Sequence, residues 1–299
     1  IFIDQYDGLG KMVNTITLNS QEHDKQLLTA QLTPINKKET VFIGVYHNLD
    51  KKNSLFATAN GFYFGKLKGD RVKYINYYNF ADLKNFDKYM SSKQQKKTNR
   101  KLARARRKGK ELELNYNLLV HDIIQKDNEY IMIAEAYYAE YETRCHTSYI
   151  NGTPQTTCYE VFIGWRYTHS LIAAFNEEGE LLWDNSFRIY NILTYNLKER
   201  IKVMFDDQDI ILVYNYDGYI SSKIIRGNKV LEGKTQTKIE TNYDNDKVKG
   251  NWNSSMDFWY DNYFIAYGTQ KIKSTGKGKG RKASKKKRYV FYFNKIAFE

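Results

Sequence analysis

Two cysteines are the first residues of this sequence whose spacing predicts a chemical bond. Cys145 and Cys158 flank the dipeptide Asn151-Gly152. Asn-Gly is a strong signal for a two-residue β-hairpin, because both central positions of such a turn need a positive φ. A turn centred there brings the two cysteines opposite each other in a non-hydrogen-bonded pair, at the spacing that a disulfide requires. We therefore expect a disulfide and an oxidising compartment, such as the periplasm or the cell exterior.

Two other interpretations of the cysteines stay open, namely free thiols on an exposed ribbon and a metal site. His146 is adjacent to Cys145, but alternation along a strand would point its side chain to the opposite face. The Asp184-Asn185 pair is similar to a fragment of a calcium loop, although it lacks the glycine and the distal glutamate of an EF-hand. The sequence predicts no metal ion and no cofactor.

Positive charge is concentrated in two runs. The net charge is +13, yet residues 93–110 and 271–288 each hold 10 basic residues and no acidic one, and acidic residues outnumber basic ones in the rest of the chain. Such runs either stay solvated or contact a polyanion, such as the acidic surface of a partner or lipopolysaccharide phosphates. The predicted contact residues are Lys96, Lys97, Arg100, Lys101, Arg104, Arg107, Lys277, Lys279, Arg281, Lys285, Lys286 and Lys287.

Neither basic run matches a known nucleotide-binding or nucleic-acid-binding pattern. Residues 93–110 contain no aromatic side chain, whereas proteins that bind single strands combine charge with stacking platforms. Residues 271–288 include Gly-Lys-Gly-Lys-Gly but not the spacing of a phosphate-binding loop that opens into a helix. Nucleic-acid binding through these segments is therefore the third choice of function.

Catalytic patterns are missing from the sequence. The five histidines form no His-x-x-x-His pair, and no Gly-x-Ser-x-Gly elbow occurs. His121 and His169 lie near strands and would either line a channel or pack inside the fold. Among the tryptophans, Trp183 is expected in the core, and Trp252, in a Gly-Asn-Trp-Asn-Ser loop, is the better candidate for stacking on a sugar. We predict no catalytic residue and no enzymatic activity.

The elements that carry these residues repeat along the chain. A short apolar strand, an acidic or Gly-containing turn and an aromatic-rich strand occur most fully at 170–187 and more loosely at 2–12, 62–74 and 211–220. The abundance of Tyr (26) and Phe (16) favours strands. A repeated hairpin that cannot bury its own face predicts stacked units and an all-β repeat architecture.

One stretch of the repeat resembles a known family. Residues 119–189 hold an Asp/Asn-rich turn, Tyr-Ile-x-Ile-Ala, an apolar strand, Asn-x-x-Gly and Leu-x-Trp-x-x-x-Phe. This order resembles the blade repeat of β-propellers in secreted and envelope proteins of Bacteroidota. The resemblance implies one propeller domain of antiparallel blades over 1–299, and it supplies no catalytic residue. Because the chain begins inside a strand-like segment, we expect a processed or N-terminally truncated piece.

Two segments interrupt the repeat. Residues 82–110 are predicted to form a helical insertion, since apolar residues follow helical spacing up to Met90, Ser91 or Ser92 provides an N-cap, and Gly109 ends the run. Residues 271–288, rich in Gly, Ser and Lys, are predicted to form a flexible basic hairpin tip.

These patterns together predict a function. No run of residues approaches the ~18 apolar residues of a membrane-spanning helix. We expect a non-enzymatic interaction or scaffold propeller at the periplasmic or cell-surface side of the outer membrane, with protein partners in a larger envelope assembly. The alternative is a carbohydrate-binding or carbohydrate-active propeller.

Overall fold

The computed structural model describes residues 1–49, 59–109, 116–190, 192–241, 243, 246–274 and 287–298. These residues belong to two compact units, Ile1–Lys198 and Glu199–Glu299. Antiparallel sheets dominate both units and the described residues contain one α-helix, which confirms the all-β class. That helix is too short and too polar to cross a membrane. The single domain over 1–299 stays a prediction.

The first unit begins with a hairpin, followed by a sheet. The hairpin strands are β1 (Phe2–Tyr6) and β2 (Met12–Thr17). The sheet strands are β3 (Lys25–Leu27), β4 (Gln31–Pro34), β5 (Glu39–Asn48), β6 (Gly61–Lys68) and β7 (Arg71–Asn79). Both β3 and β4 pair with β5, and β6 and β7 follow in order. The central strands are buried on both faces, which is why they read as nearly continuous apolar sequence.

The second sheet of this unit contains the best-matching repeat. Its strands are β8 (Asn117–Val120), β9 (Ile124–Lys126), β10 (Glu129–Ile150), β11 (Thr153–Phe175), β12 (Leu181–Arg188) and β13 (Leu193–Thr194). The order is β12-β11-β10-β8, with β9 on β10 and β13 on β11. Like the first sheet, it is an antiparallel meander built from one contiguous segment.

Strands β10 and β11 continue past this sheet as a two-stranded ribbon. Residues 141–160, which we call the arm, are exposed throughout. At its tip Asn151 and Gly152 both have positive φ, 50° and 77°, as the predicted turn requires. Cys145 lies opposite Cys158 with 4.1 Å between their Cα atoms, and the two form a disulfide. The predicted register and the predicted bond are confirmed.

Aromatic packing joins the two sheets of the first unit. The rings of Phe64 and Phe175 stack with centroids 4.7 Å apart, and Phe62 meets Phe175 edge-on. At the edge of this core the turn after β11 is held by hydrogen bonds from β7. The Tyr74 hydroxyl donates to the Glu177 carbonyl at 2.7 Å. The copy of the repeat at 170–187 therefore buries its face against the copy at 62–74.

The helical segment lies between these two sheets in the sequence. It begins with two 3₁₀ turns, Phe80–Asp82 and Phe86–Tyr89, and continues as α1 (Ser92–Arg107). Of the two predicted caps, Ser91 is the one used. Its hydroxyl lies 3.4 Å from the Gln94 N–H, and its own N–H donates to Gln94 Oε1 at 3.0 Å. Gly109 has φ +60°, so the left-handed end of the helix is present as predicted.

The second unit consists of two further meanders. The first has β14 (Lys202–Asp206), β15 (Asp209–Tyr216), β16 (Tyr219–Arg226) and β17 (Lys229–Lys238). The second has β18 (Asp246–Tyr260), β19 (Tyr263–Ser274) and β20 (Lys287–Ala297), with β19 in the centre. Val213, Phe264 and Ala266 are fully buried in their shared core.

Candidate functional site

A cavity of about 620 Å³ opens in the first unit where the arm leaves its sheet. This volume is typical of sites for small molecules. Six tyrosines and two arginines dominate the lining. The lining residues are Tyr89, Gln94, Tyr116, Asn117, Tyr137, Tyr138, Arg166, Tyr167, Thr168, Arg188, Ile189 and Tyr190. We call this cavity the tyrosine pocket.

A β-bulge explains how neighbouring residues of one strand all reach the tyrosine pocket. Strands β10 and β11 pair Ala136 with His169 but Tyr137 with Tyr167, so Thr168 is an extra residue on β11. Regular strands alternate their side chains between the two faces, and a bulge interrupts this alternation. Consecutive side chains of β11 therefore line one cavity.

The wall of the tyrosine pocket that contains Tyr89 is held in place by a buried carboxylate. Asp184 on β12 accepts the backbone N–H groups of Lys84 at 2.9 Å and Asn85 at 2.6 Å. Ser186 completes the contact by donating from its hydroxyl to the Asn85 carbonyl at 2.8 Å. These bonds hold the 3₁₀ turn that ends in Tyr89. The carboxylate that was compared with a calcium loop therefore accepts backbone hydrogen bonds.

Behind this wall lies a neutral histidine. The His169 ring stacks on Tyr89, with centroids 3.6 Å apart and planes 5° apart, and meets Tyr116 edge-on. Burial lowers the pKa of His169 to about 3 and raises the pKa values of both tyrosines. The two phenol oxygens are 3.0 Å apart and hydrogen-bonded to each other. At neutral pH this aromatic cluster carries no charge, so the charge of the pocket lining comes from its arginines.

The two arginines occupy different surroundings. Arg166 on β11 is half-buried and donates to the Glu140 carboxylate, and this hydrogen bond holds the pKa of that carboxyl below its usual range. Arg188, at the end of β12, is exposed, and its guanidinium lies 5.9 Å from the centroid of the Tyr190 ring. A guanidinium beside tyrosine rings suits a ligand that has both a ring and a carboxylate.

The predicted contact residues lie elsewhere. Those on α1 are all exposed, whereas the side of the helix formed by positions 95, 98, 102 and 105 is half-buried, with Leu102 against the core. The exposed α1 residues are Lys96, Lys97, Arg100, Lys101, Arg104 and Arg107. On the second run, Lys287 is exposed on β20, while Lys277, Lys279, Arg281, Lys285 and Lys286 lie outside the described residues. Their contact with a partner or polyanion stays a prediction.

Trp252 and His121 were two further candidates from the sequence. Trp252 is exposed as expected, but it lies within strand β18 rather than in a loop, because β18 runs through its Gly-Asn-Trp-Asn-Ser segment with register shifts. His121 is buried, with its Nε2 atom 2.8 Å from the Glu135 carboxylate. Across the described part of the chain, no three His, Cys, Asp or Glu side chains are arranged to hold a metal ion.

Sequence reasoning did not find the tyrosine pocket. Its residues come from six separate segments, and tyrosine is common throughout the chain. The nearest signal was His169, which was considered for a channel and lies directly behind the wall. The bulge at Thr168 brings consecutive side chains of β11 to the pocket. The alternation of apolar and polar residues in the sequence does not predict this bulge.

No family model and no curated protein matches this chain. Among solved structures, it is similar to the NanB sialidase from Streptococcus pneumoniae, in complex with 2-[(3-chlorobenzyl)ammonio]ethanesulfonate. The similarity covers 94% of this chain and 54% of the sialidase, at 10% sequence identity and a TM-score of 0.38. This chain thus spans about half the length of that protein, and a likeness of this size carries no argument about function.

Proposed function

We propose that this chain is a β-propeller of a secreted or cell-envelope protein, and that its tyrosine pocket binds an acidic sugar. The observation that carries the proposal is the combination of tyrosine rings and the Arg188 guanidinium around one cavity of ligand size. The proposed kinship with Bacteroidota propellers rests on the sequence repeat.

The sheet organisation supports the propeller. Four successive segments, 25–79, 117–194, 202–238 and 246–297, each supply one antiparallel sheet whose main strands follow one another in sequence order. A propeller blade is such a meander, usually of four strands. The disulfide of the arm is compatible with an extracellular or periplasmic location.

The chemistry of the lining supports a sugar. Sugar rings present C–H groups that pack on aromatic faces and hydroxyls that need hydrogen-bond partners, and the lining adds the polar side chain of Asn117 to the rings. The pKa values of Tyr89, Tyr116 and Tyr137 are raised by burial, so these phenols keep their protons at neutral pH. Tyr89 and Tyr116 share one hydrogen bond with each other, and the Tyr137 hydroxyl can donate to a ligand. A carboxylate on the sugar would contact the guanidinium of Arg188.

Calorimetry with glucuronate and with glucose tests this function. Replacing Arg188→Ala removes a hydrogen bond to a charged group, so we expect glucuronate affinity to fall about 10- to 100-fold while glucose binding changes little. Tyr138→Ala removes an exposed ring of the lining and weakens both sugars. Arg226→Ala is the matched control, because Arg226 is an exposed arginine of the second unit.

Two outcomes contradict the proposal. One is a glycan array on which the protein binds no acidic glycan. The other is an Arg188→Ala protein that binds glucuronate as well as the Arg226→Ala control does. We state the function as binding. Release of a free sugar from an acidic glycoside, lost in the same variants, would instead make the pocket an active site. The envelope scaffold role and its partners stay predictions that this experiment does not address.

A further inference from the structure

The sheet of β18, β19 and β20 in the second unit leaves one face uncovered. Along β20 the alternate residues Tyr289, Phe291 and Phe293 are 63%, 68% and 66% exposed. The opposite face of the same sheet supplies buried core residues, among them Phe264 and Ala266 of β19. We call the uncovered side the open face. Large apolar rings exposed in a contiguous patch indicate a binding surface.

The register of the sheet places these rings side by side. Successive rungs across the three strands are Trp252–Thr269–Phe291 and Ser255–Tyr267–Phe293. The ring centroids of Tyr267 and Phe291 are 6.3 Å apart, and those of Trp252 and Tyr289 are 5.7 Å apart. Alternate residues on one strand are about 6.7 Å apart. The open face therefore carries a row of neighbouring aromatic rings.

Lysines border this row at both ends. On the same face, the next set of paired residues after Tyr289 is Lys247–Lys273–Lys287. At the other end Lys295 Nζ lies 3.4 Å from the centroid of the Tyr263 ring and donates to the hydroxyl of a neighbouring tyrosine, Tyr260. None of these four lysines has a carboxylate partner among the described residues.

Among the described residues, the acidic side chain on the open face already has partners. Asp257 accepts the Tyr267 hydroxyl at 2.7 Å and forms an ion pair with Lys202 at 3.2 Å. The surface is therefore aromatic in the middle and cationic at the ends. This arrangement complements a ligand that carries planar rings and negative charges at separate positions.

We propose that the open face binds single-stranded nucleic acid, with bases stacked on Phe291, Phe293 and Tyr289 and phosphates near the bordering lysines. In a nucleic acid the planar base and the charged phosphate are separate groups, as are the rings and the lysines here. An acidic polysaccharide carries its charge on the same ring that would stack, which would bring the charge against apolar phenylalanine. In a duplex the base faces are covered by their neighbours and cannot stack on the protein.

The open face supplies aromatic rings beside basic residues, which binding to a single strand requires. Residues 93–110 lack the aromatic platform that binding to a single strand requires, which weakened the case for nucleic acid. The second run differs, because Tyr289, Phe291 and Phe293 follow it directly and share a sheet face with Lys273 and Lys287. Charge and stacking surface therefore coincide in this part of the chain.

Fluorescence anisotropy with labelled oligo(dT) tests the proposal. We expect binding that weakens steeply with added salt, as counterion release requires. Phe291→Ala and Phe293→Ala should each weaken binding roughly 5- to 100-fold, since each removes one stacking partner. Phe2→Ala is the matched control, because Phe2 is an equally exposed phenylalanine in the first unit. Both rings are on the surface, so thermal melting of the variants should match that of the parent.

A second pair of variants tests the charge. Lys287→Ser should reduce the slope of affinity against salt by about one ion, whereas Lys229→Ser, an exposed lysine on β17, should not. Competitors identify the ligand class. Three results would each overturn the proposal. The first is displacement of oligo(dT) by heparin together with no effect of Phe291→Ala. The others are binding to anionic phospholipid vesicles in place of oligo(dT) and equal affinity for duplex DNA.

Discussion

The tyrosine pocket and the open face use the same residue types in different shapes. Both combine aromatic rings with cationic side chains. In the tyrosine pocket the rings come from five segments, and the wall ending in Tyr89 is fixed by a buried carboxylate. On the open face the rings come from three neighbouring strands and are fixed only by sheet register. The two proposals therefore differ because of shape: a pocket encloses a single sugar, whereas an open sheet face accommodates an extended chain.

The two units also differ in their histidine content. All five histidines of the chain lie in the first unit, and the second unit has none. One of them, His169, is buried behind the tyrosine pocket. The difference offers a way to separate the pocket from the open face by pH alone.

The largest expected effect is an acid-induced loss of stability in the first unit. The folded-state pKa of His169 is about 3, below the value of about 6.5 in an unfolded chain, so the unfolded state binds a proton that the folded state does not. Stability is fully present above about pH 6.5 and falls by about 1.4 kcal/mol per pH unit toward pH 3. Hydrogen exchange, corrected for its intrinsic pH dependence, should show β10–β12 opening first.

Two variants sharpen this experiment. His169→Gln should lower stability at neutral pH, because the stacking on Tyr89 is lost, and should flatten the pH dependence between about pH 6.5 and pH 5. His23→Gln, at an exposed position, is the matched control. Acid opening of the second unit at the same pH, or an unchanged slope in His169→Gln, would contradict the assignment.

A smaller effect is expected in the arm. Replacing both cysteines, Cys145→Ser with Cys158→Ser, removes a cross-link over a separation of 13 residues. Chain entropy assigns about 3 kcal/mol to a loop of this length. Because the arm is exposed throughout, we expect the loss to appear as local fraying of residues 141–160 in hydrogen exchange, with sugar and oligo(dT) binding both within about twofold of the parent. Loss of sugar binding would show that the arm belongs to the tyrosine pocket.

The smallest expected effect concerns the helix cap. Ser91→Ala removes the N-cap of α1 and frees Gln94, which lines the tyrosine pocket, at a cost of about 1 kcal/mol. We expect slightly weaker sugar binding and unchanged oligo(dT) binding. Ser92→Ala is the control, since that side chain was the other predicted cap. Equal effects of the two variants on thermal stability would contradict the assignment of Ser91.

The sequence predicted local structure more successfully than it predicted the site. The Asn-Gly turn, the cysteine register and the helix end at Gly109 depend on residues close in the chain, and the structure confirms them. The tyrosine pocket depends on a bulge at Thr168 and on contacts between Asp184 and a turn about 100 residues away. Such contacts follow from tertiary packing, which hydrophobic periodicity does not encode. The open face was missed because Trp252 was assigned to a loop and the aromatic residues after the basic run were not considered as one surface.

The disulfide of the arm affects how the protein would respond to proteolysis. A protruding ribbon with a tight turn at its tip is a preferred site of cleavage. A cut at Asn151-Gly152 would fall between the two linked cysteines, so both fragments would stay covalently attached. The cleaved chain would migrate at full length on a non-reducing gel and separate into two bands only after reduction.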